Sequence, residues 1–130
     1  TTHGWFDTPA VREVFERLLG PLRGTNCRLL EVGCWEGVSA CSFLDLLGPK
    51  AHITCVDPFT GSKEHDDPVH LERFFDENVR RGEHTARVRK IKARSVEGLP
   101  LLLTERAKFD FIYIDGSHIA RDVLFDAVLA

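Results

Sequence analysis

The apolar positions along this chain follow two kinds of spacing, and Gly and Pro separate the segments. Val11, Phe15 and Leu19 recur at helical spacing after Asp7-Thr8-Pro9, which predicts a first helix that ends at Gly20-Pro21. Four apolar or alternating runs are typical of strands, and they cover residues 27–32, 52–56, 87–93 and 109–114.

Helical spacing also fills the intervals between these runs. Residues 38–47 predict a helix that stops at Gly48-Pro49, and a further helix opens at Pro68 with Gly82 as its C-terminal cap. Ser95 is a candidate N-cap for a short helix, and a last helix is expected over residues 119–130. Strands that alternate with helices predict right-handed crossovers and a parallel sheet, hence a single α/β domain over residues 1–130.

The composition is that of an ordinary soluble globular domain, with 43% hydrophobic and 28% charged residues among 130. The balance of 17 basic and 20 acidic residues gives a net charge of -3, so neither a nucleic acid nor a membrane is expected as a partner. The four cysteines form no C-x-x-C pair, which argues against structural zinc. We expect free buried thiols in a reducing compartment and therefore a cytoplasmic protein.

The most informative segment follows the first predicted strand. Residues 29–37 read LLEVGCWEG, in which Glu31, Gly33 and Gly37 form an E-x-G-x-x-x-G pattern between a strand and a helix. Such a turn lies where open α/β sheets bind ligands. The middle glycine of the dinucleotide pattern and the Gly-Lys-Ser/Thr of a phosphate loop are both missing. A tight turn without a ligand is the alternative interpretation.

An acidic residue closes the second predicted strand. Asp57 comes 26 residues after Glu31, where an acidic side chain is suited to hold two vicinal ribose hydroxyls. Asp57-Pro58 is also a good turn sequence, so a purely structural role is the alternative.

With these residues in place, the chain resembles class I S-adenosylmethionine-dependent methyltransferases, and more narrowly the small-molecule type called methyltransferase family 24. The resemblance covers residues 27–130 through four blocks in order: LLEVGCWEG, ITCVDPFTGSKEH, VRKIKARSVEGLP and FDFIYIDGSHIARDVLFDAV. It implies a Rossmann-like doubly wound parallel sheet with about four of the usual seven strands. The chain is therefore expected to be a cofactor-binding fragment of a longer enzyme and inactive by itself.

The resemblance also implies how S-adenosyl-L-methionine would be held. The cofactor turn would be made by Glu31, Gly33, Cys34 and Gly37, with Gly33 against the methionine part. Asp57 would bind the ribose, and Ser95 would lie near the adenine unless it only caps a helix. Relatives carry Gly-Asp before that serine, whereas this chain has Ala93 and Arg94, which predicts a weaker adenine contact.

The fourth block carries the implied chemistry. Asp115 would line the methyl-transfer site, and in metal-dependent relatives it is one ligand of Mg²⁺. The other carboxylate ligands of those relatives follow a fifth strand, so the metal site would be incomplete in these residues. His118, three residues beyond Asp115, is the candidate general base, and helix capping or a loop hydrogen bond is its alternative.

The intact parent is thus expected to methylate a small-molecule hydroxyl or amine. A non-catalytic S-adenosylmethionine-binding remnant and half of a nicotinamide-dependent oxidoreductase are the competing hypotheses. A four-stranded remnant would leave a sheet edge and a helix face uncovered, so a homo-oligomer is a further expectation.

Overall fold

A computed structural model of the chain describes residues 8–60 and 68–114. Residues 61–67, the predicted last helix over residues 119–130, and both Asp115 and His118 lie outside the described residues.

The centre of the fold is a four-stranded sheet, and all of its pairings are parallel, as predicted. The strands are β1 (Arg28–Val32), β2 (His52–Asp57), β3 (Val88–Lys92) and β4 (Phe111–Ile114). Their order is β3-β2-β1-β4, so the chain runs outward from β1 and then returns to its other side. This reversal creates a topological switch point at the carboxyl ends of β1 and β4.

Helices cover both faces of the sheet, which makes it doubly wound. The helices are α1 (Pro9–Leu19), α2 (Val38–Leu47), α3 (Pro68–Arg81) and α4 (Ser95–Thr104). One core cluster joins α1, α2 and α3 to the side chains of Leu29 and Ile53, and a second joins α4 to Leu30 and Val56. Adjacent strand residues thus point to opposite faces, and this explains why β1 and β2 are almost continuously apolar.

Aromatic rings fill the larger core. Phe43 of α2 is buried and meets Phe15, Phe111 and Tyr113 edge-on, with ring centroids 5.1, 5.8 and 5.5 Å away. Such pairs add stability beyond the area that they bury. They fix α1 and α2 against the β1–β4 side of the sheet.

None of the helices within residues 8–60 and 68–114 combines the length and the apolar character that crossing a bilayer requires. The element types predicted within the described residues are all confirmed, and the bounds shift by one or two residues. The third strand begins after Arg87, because that residue closes a short 3₁₀ turn, Thr85–Arg87. Its guanidinium donates to the carbonyls of Gly48 at 2.6 Å and Ala51 at 3.3 Å, which ties the start of β3 to the end of α2.

Gly82 is the C-terminal cap residue of α3, as predicted, because the helix ends at Arg81, but the left-handed residue is the next one, Glu83. Glu83 has φ 59°, and its N–H donates to the Arg80 carbonyl while the His84 N–H donates to Val79. These two bonds form a Schellman motif, and they satisfy the last carbonyls whether or not the left-handed residue is a glycine.

Candidate cofactor site

The turn over residues 33–37, called the cofactor turn below, converts β1 into α2 within five residues. Gly33 has φ 89° and donates its N–H to the Val56 carbonyl at 2.9 Å. Gly37 has φ 81° and is the residue immediately before α2. Glycine adopts these left-handed conformations without a steric penalty, so the two glycines let the backbone reverse at the carboxyl edge of the sheet.

Glu31 lies beneath this turn and is completely buried. It belongs to the strand face that α2 covers, and its Oε1 accepts a short hydrogen bond from the Ser39 hydroxyl in the first turn of α2. A carboxylate beside a helix N-terminus interacts favourably with the helix dipole. Glu31 therefore fastens the start of α2 to β1.

Asp57 joins the turn to the end of β2. Its side chain is 7% exposed; Oδ2 accepts the Trp35 N–H at 3.1 Å, and Oδ1 accepts the Phe59 N–H at 2.7 Å. Burial raises the pKa of Asp57, and these hydrogen bonds partly oppose the rise. The bond to Phe59 closes a turn at Asp57-Pro58, which is the structural role given above as the alternative for Asp57. Each carboxylate oxygen keeps further acceptor capacity, so a vicinal diol remains a suitable ligand.

A pair of thiols lies next to Glu31. Sγ of Cys34, Sγ of Cys55 and a carboxylate oxygen of Glu31 are all within 4.8 Å of one another. Burial raises the pKa of Cys34 well above the usual thiol value, and its S–H points to the Glu31 carbonyl at 3.4 Å. A hydrogen bond with Cys34 lowers the pKa of Cys55, but burial and Glu31 raise it, and the net shift is upward. These neutral thiols act as small core side chains.

All four cysteines are free, and Cys27, Cys34 and Cys55 are buried as predicted, whereas Cys41 is half-buried. Burial, followed by the charges of Asp45, Cys55 and Glu31, raises the pKa of Cys41 to about 12. Because the thiol of Cys34 points into the core, any contact between Cys34 and a cofactor would come from its backbone.

The predicted residues Glu31, Gly33, Cys34, Gly37 and Asp57 are therefore brought together at one edge of the sheet. Ser95 lies on the same edge, after β3: the Ala93 N–H donates to the Asp57 carbonyl at 3.2 Å. Its alternative role as a helix cap is wrong, because the N-cap is the exposed Arg94 and no side chain caps α4.

Asp115 and His118 follow the last residue of β4, Ile114, which pairs with Val32 of β1. Both catalytic candidates, and the Mg²⁺ role of Asp115, lie outside the described residues and stay predictions.

Several contributors to the turn carry no motif of their own. Ser39 was not singled out, although a hydroxyl in the first turn after a glycine pair is a usable signal. Asn78 of α3 donates to the Glu36 carbonyl at 2.9 Å across 42 residues, which sequence spacing does not reveal. Trp35 is half-buried and packs against the larger core.

The comparisons with known proteins agree with this geometry. The profile of a methyltransferase domain family matches residues 30–130. A search among curated proteins finds no match.

Solved structures with the same fold include an O-methyltransferase from Bacillus cereus in complex with SAH (TM-score 0.63, 19% identity, 84% of this chain and 45% of that one). Another is the O-methyltransferase TomG from Streptomyces achromogenes, involved in tomaymycin synthesis, in complex with SAM (TM-score 0.66, 17% identity, 96% of this chain and 55% of that one). A third is cofactor-bound Rv0187 from MTB (TM-score 0.66, 18% identity, 95% of this chain and 51% of that one). The chain thus spans about half the length of these structures, and they establish the fold. Together with the profile match, they show that the chain belongs to the methyltransferase domain family of class I S-adenosylmethionine-dependent methyltransferases.

Proposed function

We propose that this chain binds S-adenosyl-L-methionine at the cofactor turn and, as part of the intact protein, transfers its methyl group to a small-molecule hydroxyl or amine. The observation that carries the proposal is the pair of buried carboxylates, Glu31 and Asp57, at the carboxyl ends of adjacent strands beside a glycine turn.

The charge at this turn favours a sulfonium cofactor over a dinucleotide. The N-terminus of α2 contributes about half a positive charge, whereas Glu31 and Asp57 are two acidic groups in its immediate surroundings. Two carboxylates next to about half a positive charge give the turn a negative local potential. This potential attracts a cationic ligand and repels a pyrophosphate.

The residues of the turn fit the parts of this cofactor. Gly33 presents no side chain, so a methionine chain could approach its backbone closely. The oxygens of Asp57 accept hydrogen bonds from backbone N–H groups and retain lone pairs for two ribose hydroxyls. The bound cofactor supplies an electrophilic methyl group, and the electrons of the broken S–CH₃ bond stay on sulfur.

The names of the neighbouring structures support oxygen as the acceptor atom, because two of them are O-methyltransferases. The acceptor must lose its proton as the new bond forms, and we assign that task to His118, with Asp115 lining the site. Mg²⁺ bound through Asp115 would lower the pKa of an acceptor hydroxyl.

The direct test is calorimetric titration of the protein with S-adenosylhomocysteine and, separately, with NAD. We expect saturable binding of S-adenosylhomocysteine and no heat from NAD. Asp57→Ala should weaken the binding about 100-fold, because two charge-assisted hydrogen bonds to the ribose would be lost. Thr25→Ala, at the opposite edge of the sheet, is the control and should keep the affinity.

Binding of NAD, or S-adenosylhomocysteine binding that Asp57→Ala leaves unchanged in a folded variant, would contradict the proposal. Activity is tested on the intact protein with labelled S-adenosylmethionine and a panel of small hydroxyl and amine compounds. Labelled methyl should appear in the acceptor, and His118→Ala should lower kcat far more than the affinity for the cofactor.

A further inference from the structure

The cofactor turn contains a backbone conformation that its own residues do not favour. Trp35 has φ 49°, in the left-handed region, and it lies between Gly33 and Gly37, which are also left-handed. A bulky residue in this region costs of the order of 1–2 kcal/mol, and it persists only where the surrounding structure holds it.

Asn78 provides one such hold from α3. Its Nδ2 donates to the Glu36 carbonyl at 2.9 Å, and the N–H of the same peptide group, that of Gly37, donates to the Cys34 carbonyl at 2.8 Å. The peptide between Glu36 and Gly37 is thus bonded at both ends. Glu36 is 7% exposed, so little water is available to replace the amide of Asn78.

Phe75 supports the same turn from one helical turn earlier. A Cβ placed on Gly37 would come within 2.9 Å of the Phe75 ring, which shows how closely the ring approaches the turn. The ring also meets Phe59 edge-on at 5.1 Å, and the Phe59 N–H donates to Asp57. Because residues three apart share a helix face, Asn78 and Phe75 form one contact surface on α3.

We propose that Asn78, together with Phe75, is a positioning residue that holds the cofactor turn in the conformation that binds the cofactor. The inference rests on the proposed function for its consequence, which is tighter binding of S-adenosylmethionine. The contacts of Asn78 and Phe75 with the turn are present in the unliganded chain, so their effect on the turn can be measured without a ligand. Neither residue belongs to the motif that marks the turn.

The first experiment measures S-adenosylhomocysteine affinity by calorimetry. Asn78→Ala should weaken binding by about 3- to 10-fold, the equivalent of one partly buried hydrogen bond. Asn78→Asp keeps the shape but replaces the N–H donor with a carboxylate that faces the Glu36 carbonyl, so it should weaken binding at least as much. Val79→Ala is the control, because Val79 is the next residue of α3 and is buried in the core.

Val79→Ala should lower the thermal midpoint as much as Asn78→Ala or more, yet leave the affinity of the folded protein unchanged. A general loss of stability would not produce this difference between the two variants. Unchanged affinity in Asn78→Ala, or an equal loss in Val79→Ala, would overturn the inference.

The second experiment separates this inference from the proposed function. Amide hydrogen exchange at Gly37 in the unliganded protein should be about 3- to 10-fold faster in Asn78→Ala than in Val79→Ala after correction for global stability. If the wild-type protein binds no S-adenosylhomocysteine but this difference appears, the proposed function fails, whereas the claim that Asn78 holds the turn is supported. If the Gly37 amide exchanges at the same rate in both variants, Asn78 does not hold the turn, whatever the protein binds.

Discussion

The turns after β1 and after β3 lie at the same edge of the sheet, yet they are built differently. The β1 turn lies over the buried carboxylates of Glu31 and Asp57 and is contacted by α3. The β3 turn consists of the half-buried Ala93 and Ser95 and the exposed Arg94, and no side chain caps the helix that follows. One turn is held by buried polar groups, and the other lacks such groups and is partly open to solvent.

This difference indicates where sequence changes will matter. Buried hydrogen bonds that lose a partner leave a desolvated group behind, whereas exposed groups exchange their partners for water. We therefore expect large effects at the β1 turn and small ones at the β3 turn, although both were predicted to contact the cofactor.

The largest expected effect is at Asp57. Asp57→Ala leaves the N–H groups of Trp35 and Phe59 without their acceptor, which should lower the free energy of unfolding by about 2–4 kcal/mol. Asp57→Asn keeps one acceptor oxygen and should cost about half as much. Urea unfolding of the three proteins measures the difference. Equal stability of Asp57→Ala and wild type would contradict the account of the turn.

The pH dependence of stability gives a second test at Asp57. Because burial raises its folded pKa, the native state binds this proton more tightly than the unfolded chain does. Wild-type stability relative to Asp57→Asn should therefore be greatest below the ordinary carboxyl pKa of about 3.9 and decline as the pH rises through the raised folded value. A relative stability that increases with pH over this range would show that the folded pKa is lowered.

Gly37→Ala should come next in size, and Gly24→Ala is its matched control. Both glycines have similar left-handed φ values, 81° and 77°, but a Cβ on Gly37 would meet Phe75 at 2.9 Å while one on Gly24 would meet nothing within 4 Å. Gly24→Ala should cost about 1 kcal/mol, and Gly37→Ala about 2–3 kcal/mol. Equal costs by thermal or urea unfolding would mean that α3 does not press on the turn.

At the β3 turn a gain is expected. Arg94 is the N-cap of α4 without a side-chain cap, so Arg94→Asp should stabilise the protein by about 1 kcal/mol by accepting an N–H of the first helical turn. Arg94→Ala is the control, because it also removes the positive charge but supplies no oxygen that could cap the helix. If both variants gain equally in thermal midpoint, the gain does not come from capping.

The smallest effect is predicted for Ser95→Ala. Since Ser95 is already the first helical residue and is not the cap, its hydroxyl should contribute less than about 0.5 kcal/mol to stability. A loss of about 1 kcal/mol would show that the hydroxyl does cap α4.

The sequence predicted the sheet well, because β1, β2 and β4 are mostly apolar runs, and Gly33 and Pro58 mark the ends of β1 and β2; β3 mixes apolar and basic residues. The doubly wound topology followed from the resemblance, whereas the strand order β3-β2-β1-β4 is known only from the structure. Residues 33–37 and Asp57 were predicted because glycine spacing and the ends of strands are local signals.

Contacts across the chain could not be predicted in the same way. The bond from Asn78 to Glu36 spans 42 residues, and the fit of Phe75 against Gly37 depends on how α3 packs. Gly82 was correctly predicted as the cap of α3, but the sequence did not reveal that hydrogen bonds place the left-handed conformation at Glu83. Pattern reasoning is weakest where tertiary contacts override a local preference.

The most direct test of the central claim is a backbone amide NMR titration with S-adenosylhomocysteine. If the turn binds the cofactor, the largest changes in amide chemical shift should occur at the carboxyl edge of β1 and β2, at Gly33, Trp35, Gly37 and Phe59. The amides of Gly24 and Thr25, which precede β1 at the opposite edge, should stay unchanged. Changes confined to the opposite edge, or no changes at saturating ligand, would contradict the assignment of this turn as the cofactor site.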